Sequence, residues 1–237
     1  ELATALQNAI GSIGDRTGSS ASVAVNSRSL STTTRLYQAR FTSGEWSGDL
    51  RALAVNVSGD VDSQTWSAKD QVKTQDWNTG RVILTRNDTI GIPFRWTTSG
   101  TNALTTALQG SLKDDPATTS TVETSALEGQ ARLEWLRGST TNEGAGYIYR
   151  TRTGSFKLGD IVDSSPIFVG APINIPDLEA SPHSTFRSTY ATRREMIYVG
   201  ANDGMLHGFD AATGQEKIAY VPSMVFSNLN QLTNPGY

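Results

Sequence analysis

After residue 20, apolar residues alternate with polar ones in short runs that Gly, Asn and Asp interrupt. A period of two between turn residues is typical of strands that bury one face of a sheet. The pattern therefore predicts a mainly β protein. The predicted strands are residues 23–25, 36–41, 47–55, 81–85, 161–170, 196–201, 205–210 and 217–222.

Three segments have helical spacing instead, with apolar residues three or four positions apart. Residues 1–13 predict an N-terminal helix, and a Gly- and Ser-rich linker follows it. This helix is either the tail of a preceding domain or a simple cap. Residues 103–112 and 122–136 predict two further helices, and we expect Gly138 to end the second one.

Two segments of the chain look like equivalent hairpins. Residues 48–53 (G-D-L-R-A-L) and 204–209 (G-M-L-H-G-F) share a Gly-x-Leu-x-x-apolar pattern. We expect Gly48 and Gly204 to supply the positive φ of two tight turns, because glycine adopts it without steric cost. A further turn is expected at Gly214, and strands joined in this way are typical of a propeller blade.

Composition narrows the class of protein. The net charge is −3 and the cations are scattered, which disfavours nucleic-acid binding. The absence of cysteine excludes a disulfide scaffold, thiol catalysis and thiolate zinc sites. No apolar run is long enough to cross a bilayer. Abundant Ser, Thr, Gly and Asn favour an exported protein, and a chain that begins at Glu1 is interpreted as a mature product or an excised segment.

Several sequence blocks carry a resemblance to known proteins. Residues 201–216 (A-N-D-G-M-L-H-G-F-D-A-A-T-G-Q-E) resemble the blade motif of quinoprotein-type propellers. Six blocks in order are similar to the C-terminal region of PilY-type type IV pilus biogenesis factors. They are residues 19–28, 37–50, 132–139, 142–144, 158–172 (L-G-D-I-V-D-S-S-P-I-F-V-G-A-P) and 220–229 (Y-V-P-S-M-V-F-S-N-L).

The resemblance implies a modified propeller of roughly seven blades, quinoprotein-like. At about 40–50 residues per blade, this chain holds about three or four of them. Residues 1–18 would then be the helix and linker of a preceding domain. Residues 19–237 would be the opening part of the propeller, with a helical insertion at about residues 100–138.

The same resemblance implies a function. It predicts a non-enzymatic module for type IV pilus assembly and adhesion, located outside a Gram-negative cell at the pilus tip and linked to virulence. The implied partners are minor pilins and a host or abiotic surface. Two alternatives stay open, namely a dehydrogenase dependent on pyrroloquinoline quinone and a purely structural scaffold.

The family's calcium loop and integrin motif are not apparent in this chain. Asp60 and Asp62 lack a third carboxylate at the spacing that calcium needs, and residues 202–204 (N-D-G) are better explained as a turn. We expect no metal in this segment, and calcium only elsewhere in the full-length protein. Arg137 and Gly138 precede a serine instead of the aspartate of an integrin motif.

No catalytic constellation can be assembled from the remaining residues. In the predicted strand, Asp160 and Asp163 point to opposite faces. His183 is expected to be exposed and inert in the loop 176–184. His207 is expected to be structural, on the side of its strand opposite Leu206. We therefore predict no catalytic and no cofactor-binding residue in the chain.

The large aromatic residues and the long loops each allow a further prediction. The five tryptophans are predicted to fill the wedges between blades. They are Trp46, Trp66, Trp77, Trp96 and Trp135. The long loops 99–121 and 173–194 interrupt the propeller rhythm and are the predicted partner surface.

Overall fold

A computed structural model describes residues 23–25, 34–42, 45–114, 126–144, 149–175 and 182–236. The predicted N-terminal helix 1–13 and its linker lie outside these residues. Ten strands are present: β1 (Val23–Val25), β2 (Arg35–Thr42), β3 (Ser47–Val55), β4 (Val61–Ser67), β5 (Ile83–Arg86), β6 (Gly91–Pro93), β7 (Ile167–Val169), β8 (Met196–Ala201), β9 (Met205–Asp210) and β10 (Glu216–Tyr220). The α-helices are α1 (Ala68–Thr74), α2 (Thr106–Lys113), α3 (Ala126–Arg137), α4 (His183–Thr189) and α5 (Phe226–Leu229).

The first sheet is an antiparallel meander with the strand order β1-β2-β3-β4. Alternation along β2 and β3 gives this sheet two different faces. The inward side chains are small or apolar and fully buried: Tyr37, Ala39, Leu50 and Ala52. The outward face is polar at its centre, where Gln38 pairs with Arg51 and Arg40 pairs with Asp49, and apolar towards one end, where Leu36 pairs with Leu53.

The second sheet has six strands in the order β6-β5-β10-β9-β8-β7. Strands β7 to β10 form a four-stranded antiparallel meander, the arrangement of one propeller blade. The hairpin of β5 and β6 extends this meander, because β5 pairs in parallel with β10. The described residues therefore form two sheets, where three or four separate blades were predicted.

One face of the second sheet contacts two different layers. Towards β7 it packs on the first sheet through Ile197, Val199 and Phe209. Towards β6 it packs on the helices, where Phe94 meets Phe226 edge to face. The helical layer is the predicted insertion between the β segments, since α2 and α3 lie close to the predicted ranges.

One carbonyl group of the second sheet's β9–β10 turn accepts hydrogen bonds from three side chains of the first sheet. Ala211 lies in the turn after β9, and its oxygen accepts hydrogen bonds from the Tyr37 hydroxyl at 3.2 Å and the Trp66 indole at 3.1 Å. The Arg35 guanidinium donates to the same oxygen at 3.3 Å. Beside it, the Trp66 ring covers Gly214 so closely that a Cβ there would lie 2.5 Å from the ring.

The two glycines expected at equivalent turns have different roles. Gly204 lies in the β8–β9 turn with φ of 83°, as predicted. Gly48 is instead the second residue of β3, and the positive φ of that hairpin belongs to Trp46. Gly48 is required for a close approach, because a Cβ would lie 2.0 Å from the oxygen of Gly159. The prediction for Gly48 was wrong.

The predicted strand 161–170 is also corrected, since only its end, β7, is a strand. Pro166 has no N–H to donate and interrupts the ladder just before β7. The residues before it lie against the first sheet, where Gly48 donates its N–H to the oxygen of Leu158 at 3.1 Å. Strands β4 and β6 and helices α1, α4 and α5 were not predicted. Within the described residues, no helix is both long and apolar enough to cross a membrane.

Candidate functional site

Four charged side chains meet inside the second sheet, beneath a cleft. Arg81 precedes β5, Asp203 lies in the β8–β9 turn, His207 is in β9 and Glu216 begins β10. The pairing of β9 with both neighbouring strands places His207 between the two carboxylates. We call this set the buried ion network.

The geometry of the buried ion network is tight. The Arg81 guanidinium contacts both oxygens of Glu216, Nε to Oε2 at 2.7 Å and Nη2 to Oε1 at 2.8 Å. His207 lies 2.8 Å from Glu216 through Nδ1 and 3.1 Å from Asp203 through Nε2. Asp203 also accepts the N–H of Gly159 at 2.9 Å. The network thus links three strands and the segment that contacts Gly48.

Attraction between opposite charges keeps the groups of the buried ion network ionised although they are buried. Burial alone lowers the pKa of His207, but Asp203 and Glu216 outweigh it and raise the pKa to about 9. Burial raises the pKa of Glu216, but Arg81 and His207 reverse the shift and hold it well below its usual range. The pKa of Asp203 is likewise lowered, mainly by His207. The buried ion network therefore holds two positive and two negative groups, and its net charge is zero.

The arrangement is suited to structure and unsuited to proton transfer. His207 is fully buried, and at neutral pH it is protonated, with both ring N–H groups donating to carboxylates. A general base must instead be neutral and within reach of a substrate proton. The expectation that His207 is structural and faces away from Leu206 agrees with this geometry.

A cleft with about 500 Å³ of space, part of it open to solvent, lies over the network. Asp203 and Gly159 form part of its lining, and Trp46 and Lys157 stand at its sides. Lys157 is already engaged, because its ammonium group donates to the main-chain oxygens of Lys73 and Gln75. Lys157 therefore ties the side of the cleft to the C-terminal end of helix α1.

The calcium candidates occupy turns. Residues 202–204 form the β8–β9 turn, as predicted. Asp60 ends the β3–β4 turn, where Asn56 Oδ1 accepts the N–H groups of Ser58 and Asp60, and Asp62 is exposed in β4. Across the described ranges, no group of three or more His, Cys, Asp or Glu side chains could hold a metal ion.

The other candidate residues, Asp160, Asp163 and His183, are separated from one another. Asp160 is buried and accepts a hydrogen bond from Asn202 at 2.7 Å, whereas Asp163 is exposed. Neither lies in a strand, so the prediction that they occupy opposite faces of one was wrong. His183 was predicted to be exposed in a loop, but it is half-buried at the start of α4. That prediction was wrong.

The tryptophans divide into three groups. Trp66 fills the space between the two sheets as predicted, and Trp135 packs among the helices. Trp77 and Trp96 are half-buried. Trp46 was also expected to be a packing residue, but it is 48% exposed at the rim of the cleft.

The long loops predicted as a partner surface contain short helices. Loop 99–121 contains α2, and loop 173–194 contains α4. Phe186 of α4 and Tyr190, which ends it, contact each other with ring centroids 4.8 Å apart and ring planes inclined by 51°, and each is 45% exposed. Residues 115–121 and 176–181 of these loops lie outside the described part of the chain.

Antiparallel meanders that pack face to face are found in propellers, and the comparison with known families identifies this class. Residues 158–237 match the family model described as the PilY1 β-propeller domain, so this part of the chain is a propeller segment. The chain belongs to the PilY-type family of type IV pilus biogenesis factors, as the sequence blocks predicted. A quinoprotein-like character stays a prediction.

The similarity to curated relatives extends beyond the matched domain. Type IV pilus biogenesis factor PilY1 of Pseudomonas aeruginosa (strain PAK) is 35% identical over 212 residues, which cover 85% of this chain. A PilY1 homolog of Xylella fastidiosa is 33% identical over 225 residues, or 93% of the chain. The chain spans only 17% and 16% of the length of these two relatives. No solved structure matches significantly.

Proposed function

We propose that this chain is a propeller segment of a protein that acts in type IV pilus assembly and in attachment. In this proposal the protein lies outside the cell at the pilus tip, contacts minor pilins, and has no catalytic activity. The observation that carries the proposal is the similarity to PilY1 factors over 85% of the chain.

The packing of the chain supports a role in assembly. The two sheets are joined through the carbonyl of Ala211, and the buried ion network fixes the turns around the cleft. Such a rigid scaffold holds its surface loops in constant positions, which suits a module that binds other proteins.

The site supports the non-catalytic part of the proposal. The pKa values of His207 and Glu216 are strongly shifted because each group is engaged with other members of the buried ion network. A protein that binds pyrroloquinoline quinone would carry the absorbance of the quinone and oxidise a substrate. We expect neither property in the purified full-length protein, and either one would favour the enzymatic alternative.

The role in assembly is tested by genetic complementation. The gene for the full-length protein is deleted in its own bacterium and restored either unaltered or with Trp66→Ala. We expect few surface pili in the deletion strain and normal numbers after restoration. Trp66→Ala should restore few pili, because it opens the junction between the sheets, whereas Trp46→Ala should restore them fully. Normal piliation after deletion would contradict the proposal.

Attachment is tested separately at helix α4. The exposed aromatic pair Phe186 and Tyr190 is the best candidate contact, because exposed aromatic side chains are enriched where proteins bind one another. Phe186→Ser combined with Tyr190→Ser should reduce attachment while pilus number stays constant. Val57→Ser, which alters an exposed side chain in the β3–β4 turn, is the matched control. Unchanged attachment would favour a purely structural scaffold.

A further inference from the structure

The cleft above the buried ion network has an exposed aromatic residue at its rim. Trp46 is 48% exposed and directly precedes β3, and its backbone has φ of 49°. A bulky residue rarely adopts a positive φ, and such strain persists only where the surrounding structure holds it. Glycine would fit the same position without strain. The chain therefore carries an indole ring at the cleft although the local backbone would favour a glycine.

The charged side chains that line the cleft balance one another. Among the described lining residues, three are acidic and three are basic: Glu45, Asp160, Asp203, Arg150, Arg152 and Lys157. Some are also paired with residues outside the cleft. Glu45 lies 3.1 Å from Lys69, and Arg152 Nε lies 2.6 Å from Glu143. The cleft therefore offers no excess of either charge to a ligand, and an uncharged polar ligand suits it best.

Two carboxylates of the cleft can accept further hydrogen bonds. Ser47 and Lys69 both donate to Oε2 of Glu45, so its Oε1 can accept another donor. Asn202 donates to Oδ2 of Asp160 at 2.7 Å, so its Oδ1 can do the same. An ionised carboxylate has room for about four hydrogen bonds on its two oxygens. The cleft is therefore able to accept hydrogen bonds from the hydroxyl groups of an occupant.

One buried donor at the cleft lacks an acceptor. Trp135 lines the cleft and is only 4% exposed. Its indole N–H has no hydrogen-bond partner among the described residues. The Arg152 guanidinium packs on the same ring, 4.2 Å from its centroid. A buried polar group without a partner is rare in folded proteins, and an occupant of the cleft or a water molecule that it holds would supply the missing acceptor.

We propose that the cleft binds an uncharged saccharide whose ring packs on Trp46. The face of an aromatic ring is negative, so it attracts the C–H groups of a sugar ring. Hydroxyl groups both donate and accept hydrogen bonds, which suits a site with carboxylate acceptors and the unpaired indole donor of Trp135. A charged ligand is disfavoured, because acidic and basic side chains line the cleft together. The inference concerns the cleft and does not depend on a role in pilus assembly.

Saturation-transfer NMR on the full-length protein tests the proposal. The neutral probes are glucose, galactose, mannose and N-acetylglucosamine, and the charged probes are glucuronate and glucosamine. We expect at least one neutral probe to bind. Glucuronate and glucosamine should bind roughly tenfold or more weakly than that probe, because the cleft has no spare charge to compensate for the water that they lose. Binding by none of the neutral probes, or tighter binding of a charged one, would overturn the proposal.

Substitution of Trp46 assigns the binding to the cleft. Trp46→Gly removes the ring and relieves the positive φ, so the fold should be retained. We expect it to weaken saccharide binding roughly tenfold or more, whereas Trp46→Phe should retain most of it, because an aromatic face remains. Val57→Ser, at a side chain 66% exposed in the β3–β4 turn, is the control and should bind normally. Equal binding by Trp46→Gly and the unaltered protein would overturn the proposal. An uncharged peptide, acetyl-alanyl-serine amide, is measured alongside, and binding of this peptide alone would also overturn it.

Two affinity columns identify the source of the saccharide. One carries asialofetuin, a glycoprotein whose neutral glycans end in galactose, and the other carries neutral polysaccharide purified from the bacterium itself. Retention of the full-length protein on the first column would indicate a glycan of another organism, and retention on the second a polysaccharide of its own cell surface. Either result supports the proposal if Trp46→Gly passes through the column. Equal retention of Trp46→Gly and the unaltered protein would overturn it.

Discussion

The two sheets have similar meanders but distribute their charges in opposite ways. The first sheet buries small neutral side chains such as Ala39 and Ala52 and carries its charges outward on Arg40 and Arg51. The second sheet buries charged side chains around His207 and turns an apolar surface outward at Leu206.

The difference follows from what each sheet must contact. Water reaches part of the outward face of the first sheet, and Asp49, which is buried there, accepts hydrogen bonds from Arg51 and Ser67. The second sheet contacts the first sheet and the helices on one side, and its polar groups there must be paired because water is excluded. The buried ion network meets this requirement, because each of its charged groups lies within hydrogen-bonding distance of an oppositely charged group.

The largest expected effect comes from removing Glu216 from the network. Glu216→Gln leaves two buried cations, Arg81 and His207, and only one carboxylate in the network, Asp203, which contacts His207. Breaking a buried pair in this way typically costs about 3–5 kcal/mol. We expect a loss of that size in the free energy of unfolding, measured by urea denaturation.

An exposed ion pair on the same sheet is the control. Arg194 lies 3.3 Å from Asp210, and its side chain is mostly exposed. Arg194→Ala should change the free energy of unfolding by less than about 1 kcal/mol, because solvent screens such pairs. Similar losses for both variants would mean that the network does not stabilise the second sheet more than its surface does.

The next effect is a dependence of stability on pH. Folding raises the pKa of His207 from its ordinary 6.5 to about 9, so protonation favours the folded state. This contribution is complete below about pH 6.5 and is lost as the pH rises through about 9. It amounts to roughly 3 kcal/mol by linkage. The lowered pKa of Glu216 acts in the opposite direction, and its contribution declines as the pH falls below 4.5.

Urea denaturation at pH 6 and pH 9.5 measures the alkaline decline. His207→Gln should start from lower stability at pH 6 and lose little more by pH 9.5, because the titrating group is gone. An equal decline in the variant and the unaltered chain would show that another group titrates. The first sheet has no buried charged cluster of this kind among its described residues, so the decline would be a property of the second sheet.

The sequence predicted strands better than it predicted contacts between them. Strands β8 and β9 agree with their predicted bounds, because alternation and the Asn-Asp-Gly turn are local signals. The buried ion network could not be predicted, since Arg81 and Glu216 are 135 positions apart. Acidic and basic residues usually indicate surface, and only the fold reveals that these two are buried.

Gly48 is a second case in which the sequence did not reveal a contact between distant segments. Its pattern resembled that of Gly204, but its function is to let the backbone of Gly159 approach. A glycine that permits a turn and a glycine that permits a close contact look alike in a sequence. The strand predicted at residues 161–170 is reduced to β7 for a local reason, because Pro166 has no N–H to donate to the ladder.

The junction between the sheets should show an intermediate effect. Trp66→Phe removes the hydrogen bond to the carbonyl of Ala211 and part of the ring contact over Gly214. We expect a loss of about 1–2 kcal/mol in the free energy of unfolding. Trp46→Phe, at a ring that is 48% exposed, should change it by less than about 0.5 kcal/mol. If Trp46→Phe were the more costly, the sheets would not be joined mainly at Ala211.

The smallest effect on stability should come from exchanging the character of the two outward faces. Leu206→Gln makes the outward face of the second sheet more polar, and Gln38→Leu makes the outward face of the first sheet more apolar. Each should change the free energy of unfolding of the 237-residue chain by less than about 0.5 kcal/mol, since both positions are solvent-accessible. Binding of a hydrophobic dye should nevertheless fall for Leu206→Gln, because the exposed leucine that pairs with Tyr220 is lost. For Gln38→Leu it should hardly rise, because Arg40 and Arg51 keep the surrounding face charged. Equal and opposite changes in dye binding would mean that the two faces do not differ in kind.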